Sequence, residues 1–288
     1  MASNYKYKSK NTIKSQFYNS SAGVGTCVYD ISFNNNPITI ASPNIPTGTG
    51  DAVIISTSIY SQTFDGFNTI SYYKAATAGL LNGGLFNGKL NYFSLDNTAI
   101  QTYTFNNSSI IKAGSFTTTN GACAVSFTNP TFINIPHVVV SPTGLSSLII
   151  SCVVNNRTTT GFNALSLCKD GRNNEAGGGY YAGTFNYIAV DNVAISTYKS
   201  NTGPTIKSGI FNTDASGLCT ISNLDFNTGS VSVYCSPIDN TDTKLITYNI
   251  RSVSTSSFSM SACYKDGNSG QNGGNVFDGS FNYIAVAF

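Results

Sequence analysis

The chain repeats itself three times, and that repetition limits what it can fold into more than any other feature. Cys27, Cys123 and Cys219 recur at an interval of 96 residues, a third of the 288-residue length, and about a hundred residues is enough for one compact domain. Each copy opens on a Lys with a Phe shortly after it: Lys14 and Phe17, Lys112 and Phe116, Lys207 and Phe211. Each closes on one signature, GGLFNGKLNYFSLDN (83–97), GGYYAGTFNYIAVDN (178–192) and GGNVFDGSFNYIAVAF (273–288). The division that follows is an N-terminal arm over 1–12 and repeats over 13–98, 99–193 and 194–288. Lys6, Lys8, Lys10 and Lys14 make the arm basic, and such a segment reads as solvated.

The repeated unit has the marks of strands. Ile149 to Val154 and Leu245 to Ile250 are rich in β-branched residues and alternate in character. Turn residues follow at Thr160-Gly161-Phe162 and Ser256-Ser257-Phe258, matched by Asp65-Gly66-Phe67, and a further strand runs over 68–74, 163–169 and 259–265. Asn87-Gly88 and Asp278-Gly279 are dipeptides favoured in two-residue hairpins, with Ala182-Gly183 the weaker version, so the closing signature reads as the last two strands of each copy joined antiparallel. No helical periodicity is sustained anywhere. The expected fold class is all-β, with three tandem antiparallel β-sandwich domains of about six or seven strands each.

The last strand carries a further expectation. Along 184–190, one face holds Phe185, Tyr187 and Ala189 and the other Asn186, Ile188 and Val190, because strand side chains alternate. Both faces ask for burial, so one fills the domain's own core and the other packs on a neighbouring domain. Tyr92, Phe185, Tyr187, Phe281 and Tyr283 are the expected packing residues between domains, with the three copies arranged as a pseudo-trimer.

Composition bounds the partners. Apolar residues make up 41% of the chain and charged residues 10%, against about 25% charged in an average soluble protein, so the surface is built from neutral Asn, Ser, Thr and Gly. The 18 Phe and 17 Tyr supply core material that disordered chains lack. A net charge of +2 without a basic stripe argues against nucleic acid as a partner. No apolar run suits a secretion signal or a membrane span. The expected location is therefore a virion or extracellular particle reached without a signal peptide, with the cytoplasm as the alternative.

Catalytic parts are scarce. His137 stands alone between Pro136 and Val138, and Glu175 is the single glutamate, so the paired glutamates of glycoside hydrolysis are missing. No CxxC or HxxxH spacing suggests a metal, and Gly177-Gly178-Gly179 opens no helix that would seat a phosphate. No enzyme activity, cofactor or metal is expected. The seven cysteines read as buried thiols, with Cys123–Cys168 and Cys219–Cys263 as the alternative disulfides and Cys168 taken to correspond to Cys263.

The order of these segments resembles a known family. Gly114 to Phe116, Val125 to Phe127, Pro136 with Val138 to Ser141, Thr160-Gly161-Phe162 and the final FNYIAV are similar to the H-type lectin domain and to the related terminal knobs of phage tail fibres. The resemblance spans nearly all of copies two and three and is weaker in copy one. It implies six-stranded sandwiches that associate in threes and bind sugars at or near subunit boundaries. Where snail-type members carry an aromatic-His pair, this chain has Lys169-Asp170, Lys265-Asp266 and Lys74-Ala75, and Ile149 stands near their sugar-binding Arg. Candidate ligand-binding residues are accordingly Lys169, Asp170, Tyr180, Tyr181, Tyr264, Lys265 and Asp266. Two functions follow as expectations: a lectin-like attachment protein whose partner is a glycan, or a purely structural component whose partner is another virion protein or a further copy of itself.

Overall fold

The computed structural model describes residues 13–45, 53–77, 80, 82–96, 103–104, 110–127, 131–172, 177–191, 198–199, 205–226, 229–240, 243–267 and 273–287. The expected arm over 1–12, with Lys6, Lys8 and Lys10, lies outside them, as does Glu175. The described residues are all-β. Copy one contributes β1 (Ile13–Ser20), β2 (Val24–Val28), β3 (Pro37–Asn44), β4 (Val53–Tyr60), β5 (Gly66–Ala75), β6 (Gly83–Leu85) and β7 (Gly88–Asp96). Copy two contributes β8 (Tyr103–Thr104), β9 (Ile110–Thr117), β10 (Ala122–Ser126), β11 (His137–Pro142), β12 (Leu148–Thr158), β13 (Gly161–Asp170), β14 (Gly178–Tyr180) and β15 (Thr184–Val190). Copy three contributes β16 (Tyr198–Lys199), β17 (Thr205–Asn212), β18 (Leu218–Ser222), β19 (Val231–Pro237), β20 (Lys244–Val253), β21 (Ser257–Asp266), β22 (Gly274–Val276) and β23 (Ser280–Ala287).

One pattern of antiparallel pairing recurs. The last long strand sits between the first and third in β1-β7-β3, β9-β15-β11 and β17-β23-β19. The other sheet is β2-β5-β4, β10-β13-β12 or β18-β21-β20, with the short β6, β14 or β22 added to β5, β13 or β21. Each copy has its own aromatic core between these sheets. In copy two Phe116 stacks on Phe185 at 5.4 Å, and Phe162 meets Tyr187 edge-on at 5.6 Å. Copy three repeats this with Phe211 on Phe281 at 5.5 Å.

The last strand is buried on both faces, but the faces are assigned the other way round from the expected packing set. Phe185 and Tyr187 belong to the core of copy two, Phe281 and Tyr283 to that of copy three, and Tyr92 to that of copy one. The opposite parity, Phe93 and Leu95, Ile188 and Val190, Ile284 and Val286, joins one cluster shared by all three copies, with Ile40, Val139 and Tyr234 from the third strands. Alternation requires two destinations for this strand. In copies two and three the rings take the gap between a copy's two sheets and the aliphatic chains the convergence of the three strands, whereas in copy one Phe93 enters the convergence and stacks on Tyr234 at 5.8 Å.

Around that shared cluster the contacts run in a cycle. Ile59 of copy one bridges Thr143 of copy two, Val154 of copy two bridges Ile238 of copy three, and Ile250 of copy three pairs with Asn44 of copy one. All three are parallel, and each is extended by a backbone hydrogen bond from the next residue: Gly144 to Ile59 at 2.7 Å, Asp239 to Val154 at 3.3 Å and Ile45 to Ile250 at 2.8 Å. Sheet edges that would otherwise present unpaired backbone groups are thereby engaged. Asn186 donates to the Thr39 carbonyl and Asn282 to that of Val138, both at 2.9 Å and both to the preceding copy. The join between copies three and one departs from this pattern. Tyr234 occupies the place of Ile40 and Val139, bonding Ser15 and the Tyr92 carbonyl; Ser42 takes the Val233 carbonyl, and the Asn91 amide nitrogen is left buried without a partner.

Other sequence expectations need correcting. Asn87-Gly88 and its counterparts do not close hairpins, since β6 pairs with β5 and β7 with β1 and β3; the chain crosses between sheets there. The glycine is needed for a ring instead, because a Cβ on Gly88, Gly183 or Gly279 would stand about 2.3–2.4 Å from Phe86, Tyr181 or Phe277. Cys123 and Cys219 are equivalent, facing Ala164 and Met260, but Cys27 faces Phe67 and so matches Val125 and Ile221, which face Phe162 and Phe258. Tyr18, which packs on Phe67 and Tyr92, is the counterpart of Phe116 and Phe211, whereas Phe17 is exposed. Cys168 matches Tyr264 and Cys263 matches Leu167, by their pairing opposite Ile150, Ile246, Thr247 and Ser151. All seven cysteines are free thiols. Lys14 is not part of a solvated arm: it is buried in β1, bonded to Asp30 and the Ile31 carbonyl, beside the Tyr29 and Phe33 rings.

Candidate functional site

The outer face of β10, β13 and β12 carries an open groove of about 560 Å³. Strand register arranges its floor in rows. Ala124, Asn163 and Asn155 lie side by side, then Ala122, Leu165 and Val153, and then Tyr180 beside Leu167. Val153 and Leu165 pack on the core of copy three, and the Asn155 amide donates to the Asn240 carbonyl at 3.1 Å, so the groove runs beside the boundary between copies two and three. Asn156 and Asn163 are exposed, and Tyr180 is 58% exposed.

Local structure places these groups. Gly121 adopts φ +80, and a Cβ there would stand 2.6 Å from the Tyr180 ring, so a bare, left-handed backbone makes the seat on which the tyrosine lies. Asn156 also takes a positive φ of 47, at a register shift between Asn155 and Thr158. Asparagine tolerates that conformation better than most residues, and at this irregularity Asn156 lines the groove. Among the described residues, no lysine, arginine, histidine, aspartate or glutamate lines the groove. What it offers is an aromatic plate, carboxamide donors and acceptors, and a methyl-bearing floor.

Of the seven expected ligand residues, Tyr180 lies in this groove. Lys169 and Lys265 are fully buried where the copies converge, and burial depresses both ammonium pKa values. Lys265 donates to the carbonyls of Thr77 and Leu80 of copy one, both at 2.9 Å, as Lys74 donates to Asp170 and Arg172 of copy two at 2.9 and 3.0 Å. Lys74 and Lys265 are clamps between copies, and burial keeps all three lysines from a ligand at the loops. Asp170 is held by Arg172, whose guanidinium lowers its pKa. Asp266 takes part in the hairpin that presents Lys265, its amide bonded to the Gly273 carbonyl. Tyr181 turns inward, edge-on to Phe185, and Tyr264 packs on the core of copy three with Lys244 over its ring.

Sequence reading missed Asn155, Asn156 and Asn163. In a chain so rich in asparagine, composition gives no signal; strand register does, because it sets Asn163 opposite an alanine where the other copies have a threonine. A smaller cavity of about 50 Å³ lies where the copies meet, walled by Ser56, Ser151 and Thr247 among others, and holds no more than a few waters. His137 is buried against Ser208 at 2.9 Å, its pKa pushed down to about 4 by burial and by Arg157. Among the described residues no cluster of His, Cys, Asp or Glu could hold a metal, and no helix is long and apolar enough to cross a membrane. Compared with known proteins, the chain matches no family model, no curated protein and no solved structure.

Proposed function

We propose that this chain is a non-enzymatic, lectin-like attachment protein of a virion or similar particle, which recognises a neutral glycan in the groove of copy two. The observation that carries the reading is the lining itself: an exposed Tyr180 ring in one groove with Asn155, Asn156 and Asn163, and no charged group among the described residues. A sugar presents apolar C–H faces that stack on an aromatic ring and hydroxyls that carboxamides both donate to and accept from. Small-molecule sites are usually concave and largely pre-formed, which a groove floored by paired strands satisfies. Three cyclic contacts between copies support reading the chain as a pseudo-trimer made from one polypeptide, and the segment order it shares with H-type lectins and tail-fibre knobs points the same way.

The test is a glycan array probed with the whole chain and with Tyr180→Ala. Binding to neutral glycans that Tyr180→Ala loses supports recognition. Silence of the whole chain on the array refutes it and favours a purely structural particle component.

A further inference from the structure

We infer that each chain holds one glycan, because the site that is open in copy two is closed by the chain's own side chains in copies one and three. This rests on the glycan reading above and adds its valency. The three outer faces can be compared position by position through their strand pairing. Asn163 of copy two pairs with Ala124, Asn68 of copy one with Thr26, and Ser259 of copy three with Thr220.

The alanine makes the difference. In copy one the Thr26 hydroxyl donates to the Asn68 carboxamide oxygen at 3.0 Å, so that oxygen is already engaged and the side chain held across the strands. In copy three Ser259 bonds Ser252 at 2.6 Å. Ala124 has no hydroxyl to offer, and Asn163 keeps its carboxamide for a ligand. The next row repeats the contrast. Ala122 leaves the floor low, whereas its counterparts Val24 and Leu218 are branched side chains 43% and 39% exposed, standing up from the same strand position.

The plate differs as well. Tyr180 lies on Gly121, where copy one has Leu85 on Gly23 and copy three has Val276 beside Gly217. All three glycines have positive φ and seat a side chain, but one of the three seated groups is an aromatic ring. Copy one does have a cavity nearby, of about 430 Å³, walled by Ile45, Val53, Ile55, Tyr73, Leu85, Phe86 and Asn87, but the oxygen of its Asn87 carboxamide already accepts from the Gly23 amide at 2.9 Å. Among the described residues, platform, free carboxamide and low floor therefore coincide once.

The experiment uses the full chain with lactose, maltotriose and chitotriose as probes, followed by saturation-transfer NMR for binding and native mass spectrometry for stoichiometry. One sugar per chain is expected. Ala124→Thr installs the residue that copies one and three already carry on an exposed strand, so the fold is retained; it should weaken binding at least about tenfold, the worth of one good polar or stacking group. Tyr180→Ala should do the same, whereas Leu85→Ala and Val276→Ala should leave binding unchanged. Two or three sugars per chain, or full binding by Ala124→Thr, overturns the single-site inference while leaving glycan recognition standing. If none of the probes and no member of the array binds, the glycan reading itself fails and the valency with it.

Discussion

Where the three copies meet, most equivalent positions hold similar apolar side chains; on the outer faces they do not. Phe93, Ile188 and Ile284 share one place in the central cluster, as do Leu95, Val190 and Val286, and Lys74, Lys169 and Lys265 are all fully buried, paired opposite Ile54, Ile149 and Leu245 of a second cluster shared by the three copies. The outer faces set Leu85, Tyr180 and Val276, or Thr26, Ala124 and Thr220, at one position. A close-packed meeting of three strands tolerates little change in volume, so nearly the same solution recurs, with the stacked Phe93 and Tyr234 at the join of copies three and one as its aromatic exception. An outer face is constrained only to stay soluble and paired, which leaves room for one copy to acquire chemistry the others lack.

The largest effect that would sharpen this contrast comes from the centre. Ile188→Ala should cost about 2–5 kcal/mol in urea unfolding, the usual range for emptying a fully buried aliphatic site, while Tyr180→Ala on the outer face should stay within about 0.5 kcal/mol. Equal costs would break the comparison. Next comes pH. His137 has a folded pKa of about 4, below its ordinary 6.5, so from pH 6.5 downwards the unfolded chain takes up a proton that the folded chain refuses. Stability should therefore fall as pH drops towards 4, by as much as about 3 kcal/mol at roughly 1.4 kcal/mol per unit. His137→Ile, which copies the equivalent Ile38, should remove this dependence, read as the difference in melting temperature between pH 7 and pH 4.

A smaller loss, about 1–3 kcal/mol, is expected from Gly178→Ala, since its Cβ would stand 2.5 Å from the Gly267 carbonyl of the next copy. Gly144→Ala, where a Cβ would meet nothing but the φ is +93, separates strain from contact: it should cost about 1 kcal/mol through backbone conformation alone. The smallest effect is chemical. Cys123 and Cys219 are half-exposed and the other five thiols buried, with burial pushing the Cys27 thiol up to about 11. A thiol reagent should label Cys123 and Cys219 first in the folded chain, and equal labelling of Cys235 would place a central residue at the surface.

Much of the architecture was legible. The repeat, the long strands and the double burial of the last strand all follow from patterning. Three things were not, each for a physical reason. Both faces of β15 are apolar, so alternation says that there are two destinations without saying which face takes which. Asn-Gly suits a hairpin, but Gly88 serves a sheet crossing in which the Phe86 ring lies over it, and that ring's position is a tertiary fact. The constant cysteine interval hid compensating differences in loop length, which displaced Cys27 from its apparent partners.

The site was less legible than the fold. Lysines and aspartates near glycine-rich loops suggest exposed tips because charged side chains are seldom buried. Here the carbonyls of the neighbouring copy accept from Lys74 and Lys265 and make burial tolerable. Tyr180 stood out as an aromatic in a polar loop, whereas Asn163 became informative only once strand pairing set Ala124 against it.

The central claim is that the aliphatic faces of the three last strands converge on one another within a single chain. Methyl NOE spectroscopy on the monomer, with isoleucine, leucine and valine labelled, tests it most directly. The predicted result is a network joining Ile40 and Leu95 to Val139, Ile188 and Val190 and onward to Ile284 and Val286. Cross-peaks confined within each copy would contradict it.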